Sequence, residues 1–337
     1  MEIILLLPAA ISFILCALLL PKWIRKCWQN DMLWENMNKY DHPRNVAASG
    51  GIIIVMSFVL SVLSYIAIKT FILHENGGID VYIFSLLSVI LILAITGLTD
   101  DLLGWKHGGL SKRFRIFLAI AASIPLVVIN AGEQAVNIPF LGYIDFGIIY
   151  PLIIIPIGIA GATTTYNFLA GMNGLEAGQG IIILSAMALV SYLTGTAWLA
   201  LAAICMIASL AVFYYYNRFP AKVLPGDIMT YSIGGLIASM AILGNIERIA
   251  VFFFIPYILE VFLKLRGNLK KQSFGKPNKD GSLELPYDKI YGITHLSILI
   301  LKKFKKKVFE KDVVYLIHAF QIGIILIGLI IFRKSIF

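Results

Sequence analysis

Stretches of about 20 uncharged, apolar residues recur along the whole of this chain, and they decide what it can fold into. A bilayer core about 30 Å thick is crossed by a helix of roughly 20 such residues, because only helices and closed barrels satisfy every backbone N–H and C=O away from water. Ten segments qualify, at approximately 3–20, 48–69, 81–99, 113–131, 148–166, 180–195, 197–214, 228–244, 248–264 and 313–332. Composition agrees, since 59% of the 337 residues are apolar or aromatic and only 14% are charged, against about 25% charged in soluble domains. The expected fold is an all-α polytopic membrane protein of about ten transmembrane helices. It forms a single integral-membrane domain over 1–337, with a loop subregion at 264–312. The first apolar run flows into Pro21-Lys22-Trp23 without a small-residue cleavage site, so it is expected to stay as a span. Three cysteines are too few for a disulfide scaffold. Cys16 and Cys205 lie in apolar runs and Cys27 in a basic stretch read as loop, and all three are expected to be free thiols.

Orientation follows from the basic residues. Of the 28 Lys and Arg, twenty-four fall in alternate loops, within 22–47, 100–115, 215–227 and 264–312. The other side holds only Lys69, Arg248, Arg333 and Lys334. The positive-inside rule places the first set in the cytosol and both termini outside. The formal charge of +9 is then a topology signal, and no nucleic-acid partner is implied. In 264–312, turn residues at Lys276-Pro277-Asn278-Lys279-Asp280-Gly281 precede an apolar run at 293–301 and the cluster Lys302, Lys303, Lys305, Lys306 and Lys307. An interfacial helix or hairpin facing anionic headgroups is expected there.

The unusual polar residues gather in the cytosolic loops. Asp100-Asp101 closes the third span, where two adjacent carboxylates repel each other and oppose the helix dipole. Near a membrane such charge is costly and tends to be functional; a divalent cation would relieve it. After the fifth span, Asn167 and the run Gly171-Met172-Asn173-Gly174-Leu175-Glu176-Ala177-Gly178-Gln179-Gly180 combine glycine with amide and carboxylate groups. Glycine lets backbone approach a ligand closely, and Asn offers a carbonyl to a hard cation. Asp227, at the mouth of the eighth span, reads as a helix N-cap or as a metal ligand. Lys39, Arg44, Lys112, Arg113 and Arg115 are available to phosphates. The histidines show no metal-ligand spacing, and no zinc site is expected.

These motifs resemble the polyprenyl-phosphate N-acetylhexosamine-1-phosphate transferases. The resemblance rests on His42-Pro43-Arg44 ahead of Gly50-Gly51, the Asp100-Asp101 pair, and above all Leu169 to Gln179. That last stretch, with Asn217-Arg218-Phe219-Pro220 and Gly226-Asp227, is similar to the archaeal and eukaryotic UDP-GlcNAc–dolichyl-phosphate GlcNAc-1-phosphotransferases. The resemblance implies transfer of GlcNAc-1-phosphate from UDP-GlcNAc to dolichyl or another polyprenyl phosphate, with Mg²⁺, or Mn²⁺ in its place. This would be the first step of lipid-linked oligosaccharide synthesis for protein N-glycosylation. Asn167 and Asp227 match metal ligands, and Asp100, Asp101 and Lys112 match reacting-centre residues. Gly171, Asn173 and Glu176 match the nucleotide loop, with Arg44, Lys271 and Lys276 as further substrate contacts. A cytosolic-face active site is implied, and a homodimer is compatible with it.

The chain departs from the pattern at Thr164, where many relatives carry Asn, and at Ala47-Ala48 before the glycine pair. The His/Arg motif of the last loop is replaced by Lys270, Lys271, Gln272, Ser273 and Lys276. Two rival functions are compatible with the same residues. One is a relative using another UDP-sugar or prenyl carrier; the other is a lipid-linked or nucleotide-sugar transporter. The Ile- and Lys-rich composition points to an archaeal cell membrane, with the endoplasmic reticulum as the eukaryotic counterpart.

Overall fold

The computed structural model describes residues 6–74, 77–138 and 142–336. Helix α1 (Leu7–Gln29) leads into a hairpin of β1 (Leu33–Glu35) and β2 (Arg44–Ala47), followed by α2 (Gly51–Phe71) and α3 (Ile79–His107). Then come α4 (Lys112–Ala121), α5 (Ile124–Val128) and a second hairpin of β3 (Ala135–Ile138) with β4 (Gly142–Asp145). A π turn at Tyr150–Ile154 opens α6 (Ile155–Phe168), and α7 (Leu175–Leu193), α8 (Ala197–Asn217) and α9 (Gly226–Leu243) follow. The chain ends with α10 (Glu247–Phe253), α11 (Ile255–Arg266), β5 (Lys276–Pro277), β6 (Leu283–Glu284), α12 (Ile293–Lys302), α13 (Glu310–Ile331) and α14 (Arg333–Ile336).

Among the described residues, eight helices are long and apolar enough to cross a membrane: α1, α2, α3, α6 with its π turn, α7, α8, α9 and α13. The protein is a multi-pass membrane protein. The expected spans at 113–131 and 248–264 each fold instead as two shorter helices. Both breaks precede a proline, Pro125 near the start of α5 and Pro256 near the start of α11. Proline has no N–H to carry on the hydrogen-bond ladder of the preceding helix. Residues 3–5 of the first expected span lie outside the described residues. That helix runs past its expected end to Gln29, so Cys27 is a buried helical residue and not a loop residue. All three cysteines are buried free thiols. In 264–312 both expected elements occur, a hairpin at β5–β6 and the short apolar helix α12.

Helix α9 is the axis of the bundle, with 83% of its residues buried. Between membrane helices the gain comes from close van der Waals contact, so small residues collect where backbones cross. A Cβ added at Gly97 of α3 would stand 2.5 Å from the Ile228 nitrogen and 2.6 Å from the Asp227 oxygen. One added at Gly234 would stand 2.7 Å from the Ala162 oxygen of α6. The backbones of α3, α9 and α6 therefore touch, which brings the ends of all three together.

Overpacking against backbone cannot be relieved by rotamer change. Gly97→Leu should destabilise the protein by about 2–3 kcal/mol, read as a lower thermal midpoint in detergent. Gly158→Leu, at an exposed site with open space around it, should change stability by less than about 0.5 kcal/mol.

Candidate active site

Helix α3 continues beyond Asp100 and Asp101 to His107, so the carboxylate pair does not stand at a helix end as the sequence suggested. Each carboxylate has its own partner. Asp100 is buried; its Oδ1 accepts the Leu110 N–H at 2.6 Å, and its Oδ2 lies 2.9 Å from Arg115 Nη1. The same Arg115 nitrogen is 3.6 Å from Asp227 Oδ2. Asp101 Oδ1 accepts the Asp227 N–H at 2.8 Å. Asp227 is thus not the N-cap of α9; it lies in the first turn, and Asp101 caps that turn from another helix, where acceptors are favoured.

The loop before α9 is fixed by main chain. Ala47 N–H donates to Lys222 O, and Leu224 N–H donates back to Ala47 O at 2.8 Å. Gly50 and Gly51 N–H donate to Leu224 O and Pro225 O, each at 2.9 Å. A Cβ at Gly50 would lie 2.5 Å from Val223 Cγ2, so the glycine pair permits the close approach. The Ala47-Ala48 departure costs the site nothing visible, because this segment works through its backbone.

Asn167, in the last turn of α6, faces the same point. Its Oδ1 accepts from Thr230 Oγ1 at 3.1 Å. Beyond it the loop reverses at Gly171, whose φ of +105° suits glycine and whose Cβ position is filled by the Phe274 ring. Gly171 N–H donates to Glu176 Oε1 at 2.7 Å. Asn217 bridges two loops, its Oδ1 accepting Gly174 N–H at 3.1 Å and its Nδ2 donating to Val223 O at 2.8 Å.

A buried clamp holds this loop from the opposite side. Glu310, at the start of α13, accepts the Asn173 N–H at 2.7 Å through Oε1, and its Oε2 lies 3.4 Å from Lys39 Nζ. Asn38 Nδ2 donates to Gly171 O at 2.6 Å and reaches Glu310 at 3.4 Å, while Asn38 Oδ1 accepts the Gly275 N–H. Asn38, Thr230 and Glu310 are not among the residues to which the sequence points, and Asn217 figures there only within the Asn217-Arg218-Phe219-Pro220 motif. The one available signal was an acid opening an otherwise apolar span.

Two adjoining cavities result. The first, about 390 Å³, is lined by Asp101, Asn167, Gly171, Asn173, Glu176, Asp227 and Thr230, with residues 34–37 and Gln272 opposite. Three buried atoms in its wall lack hydrogen-bond partners: Asp101 Oδ2, Asn173 Nδ2 and Glu176 Oε2. The second, about 320 Å³, shares Asn167, Gly171, Gln272 and Phe274 and adds Lys112, Arg115, Lys264 and Lys271. Segment 271–274 closes both. It is held by Thr294, which donates to Ser273 O at 2.7 Å, and by His295 against Phe274 O at 3.2 Å. Burial pushes the His295 imidazole below its ordinary pKa, which keeps the ring neutral near pH 7.

Several expected contacts lie elsewhere. Asp100 is in neither cavity wall and instead secures Arg115. Arg44 donates to Leu33 O at 2.7 Å within the first hairpin and lines neither cavity. Lys276 pairs across β5–β6 with Glu284, also outside both. Lys112 and Lys271 line the second cavity, with Lys112 Nζ donating to Leu269 O at 2.8 Å and Lys271 Nζ 4.6 Å from the Tyr287 ring centre.

The sequence model of glycosyl transferase family 4 matches residues 83–245, the stretch that carries Asp100, Asp101, Asn167 and Asp227. A provisionally named UDP-N-acetylglucosamine–dolichyl-phosphate N-acetylglucosaminephosphotransferase of Saccharolobus solfataricus is 37% identical over 303 residues, 89% of each chain. The chain belongs to glycosyl transferase family 4. Two further members show its breadth. The UDP-N-acetylglucosamine–dolichyl-phosphate N-acetylglucosaminephosphotransferase of Dictyostelium discoideum is 26% identical over 268 residues, 68% of this chain and 64% of its own. A phospho-N-acetylmuramoyl-pentapeptide-transferase of Halalkalibacterium halodurans is 26% identical over 272 residues, 77% of this chain and 81% of its own. As a family 4 member the protein is a glycosyl phosphotransferase.

Removing the clamp should loosen the loop. Glu310→Ala leaves the buried Asn173 N–H without its acceptor and Lys39 without its ion-pair partner, and should cost about 3 kcal/mol, with faster amide exchange across 171–174. Glu310→Gln keeps an acceptor and should lose clearly less in the same two measurements.

Proposed function

We propose that the protein transfers GlcNAc-1-phosphate from UDP-GlcNAc to dolichyl or a similar polyprenyl phosphate, giving GlcNAc-diphosphopolyprenol and UMP. The observation that carries the reading is the convergence of Asp101, Asn167 and Asp227 from three helices on one cavity, in a chain 37% identical to a relative named for this reaction. The family match favours transfer over transport.

The donor set suits a hard cation. Asp227 and Asn167 offer oxygen ligands in the wall of the first cavity, and Asp101 Oδ2 is buried beside them without a partner. Among the described residues no three His, Cys, Asp or Glu side chains form a metal cluster. That fits Mg²⁺, which takes one or two protein carboxylates and completes its shell with phosphate and water oxygens. Asn167 and Asp227 would hold the ion, which when bound supplies Lewis-acid neutralisation of the diphosphate.

The remaining work falls to the protein's own groups. A phosphate monoester is mostly dianionic at pH 7, since its second pKa is near 6, so the acceptor is already nucleophilic. Bringing it to an anionic diphosphate is the main barrier, and alignment and charge compensation lower it. Lys112, Arg115, Lys264 and Lys271 give the second cavity the cations for the lipid phosphate. Asp100 keeps the Arg115 guanidinium turned toward Asp227. Asn173 and Glu176 suit the donor and acceptor edge of a base. Attack of the lipid phosphate on the sugar-linked phosphorus would then proceed in line, with UMP leaving through the first cavity.

Purified protein given Mg²⁺, labelled UDP-GlcNAc and dolichyl phosphate should release UMP and form lipid-linked label in equal amounts. Chelation should stop both, and added Mg²⁺ should restore them. UMP without lipid-linked sugar, or label carried across vesicles without UMP, would refute the reading. Asp227→Ala and Asn167→Ala should abolish turnover. Arg115→Ala should lower kcat by about 10²-fold, the scale of one preorganised electrostatic group. Asp100→Asn should add little to Arg115→Ala in the double variant, because the two act as one unit.

A further inference from the structure

A third cavity, about 300 Å³, opens between the C-terminal end of α8 and the N-terminal end of α13, at the active-site end of the bundle. Its charged lining residues are Arg218, Lys222 and Lys311, all cations. Among the described residues none of the three lies within ion-pair distance of a carboxylate. Asn173 forms part of the wall on the side of the first cavity, and its buried Nδ2 has no hydrogen-bond partner. The cleft is therefore a concave surface with excess positive charge, which calls for an anion.

We propose that this cleft binds the phosphate headgroup of an anionic membrane lipid. Depth argues for a lipid over a soluble anion. Arg218 and Lys311 stand at the ends of two membrane-crossing helices, where headgroups lie, and Tyr215 and Tyr315 turn their rings outward there, 62% and 61% exposed. Amphipathic rings favour that level of the membrane, and basic pockets between spans suit anionic headgroups. The surface of α13 continues the site. Lys311, Tyr315, Ala319, Ile322 and Leu326 follow at helical spacing and are all exposed. A phosphate at Lys311 would leave its acyl chains lying along that strip. The proposal stands apart from the transfer reaction, and its test uses neither nucleotide nor acceptor.

The full-length protein, exchanged into detergent with equal phosphatidylglycerol and phosphatidylcholine, is weighed by native mass spectrometry. Selective retention of one phosphatidylglycerol is expected. Each cation neutralised should lower that retention about fivefold, the contribution of one basic residue at an anionic surface. Arg218→Gln with Lys311→Gln should thus lose about 25-fold, and Lys303→Gln with Lys306→Gln, in the headgroup-facing lysine cluster outside the cleft, should lose clearly less. Should the first pair fail to fold, the exposed Lys222→Gln alone should still show about fivefold loss. Equal retention of the two lipids, equal loss in the lysine-cluster control, or displacement by millimolar inorganic phosphate would overturn the proposal.

Discussion

A carboxylate buried at the edge of a membrane persists only if something answers its charge and its lone pairs, and most of this structure follows from how two adjacent aspartates are answered. Asp100 is met by the Leu110 N–H and by Arg115. Asp101 is met by the first free N–H groups of α9, through the bond from Asp227. One residue therefore organises the cationic side of the site, and the other fixes the helix that carries Asp227. The close crossing at Gly97 is what allows it, since any side chain there would push α9 away from α3.

The division of labour extends outward. Backbone bonds from Ala47, Gly50 and Gly51 set the approach to α9, while Asn217 and Glu310 set the loop that reverses at Gly171. These groups are neutral donors and acceptors or buried acids with several partners, so the frame is held by directional bonds. The exposed lysines of 302–307 contribute far less to it, since solvent and salt screen such charges.

Much of this was legible before any coordinates. Apolar runs near 20 residues announce spans, and the glycines of the Asn167 to Gln179 stretch announce the break between α6 and α7, because both signals are local. The broken helices at Pro125 and Pro256 were harder, since hydropathy averages over a proline that the hydrogen-bond ladder does not tolerate. The length of α3 is hidden in the sequence because a charged pair reads as a helix stop, whereas Asp100 and Asp101 find partners from other elements. Asn38 and Glu310 are silent for a related reason, and Asn217 shows only as part of a motif without its bridging role. Each works through contacts with residues distant in the chain, and no single segment encodes that. Segment 270–276 offered no recognisable motif, yet 271–274 closes both cavities, held by α12.

The Glu310 clamp has a consequence for biogenesis. Asn38 belongs to the first hairpin and Glu310 to the last long helix, and both bear on the loop at 171–174. A nascent chain can insert its earlier helices one by one, yet the loop at 171–174 lacks its anchor until α13 has left the ribosome and docked. Competence then arrives in one step when α13 docks, so a polypeptide that stops before α13 would be inert and not half-active.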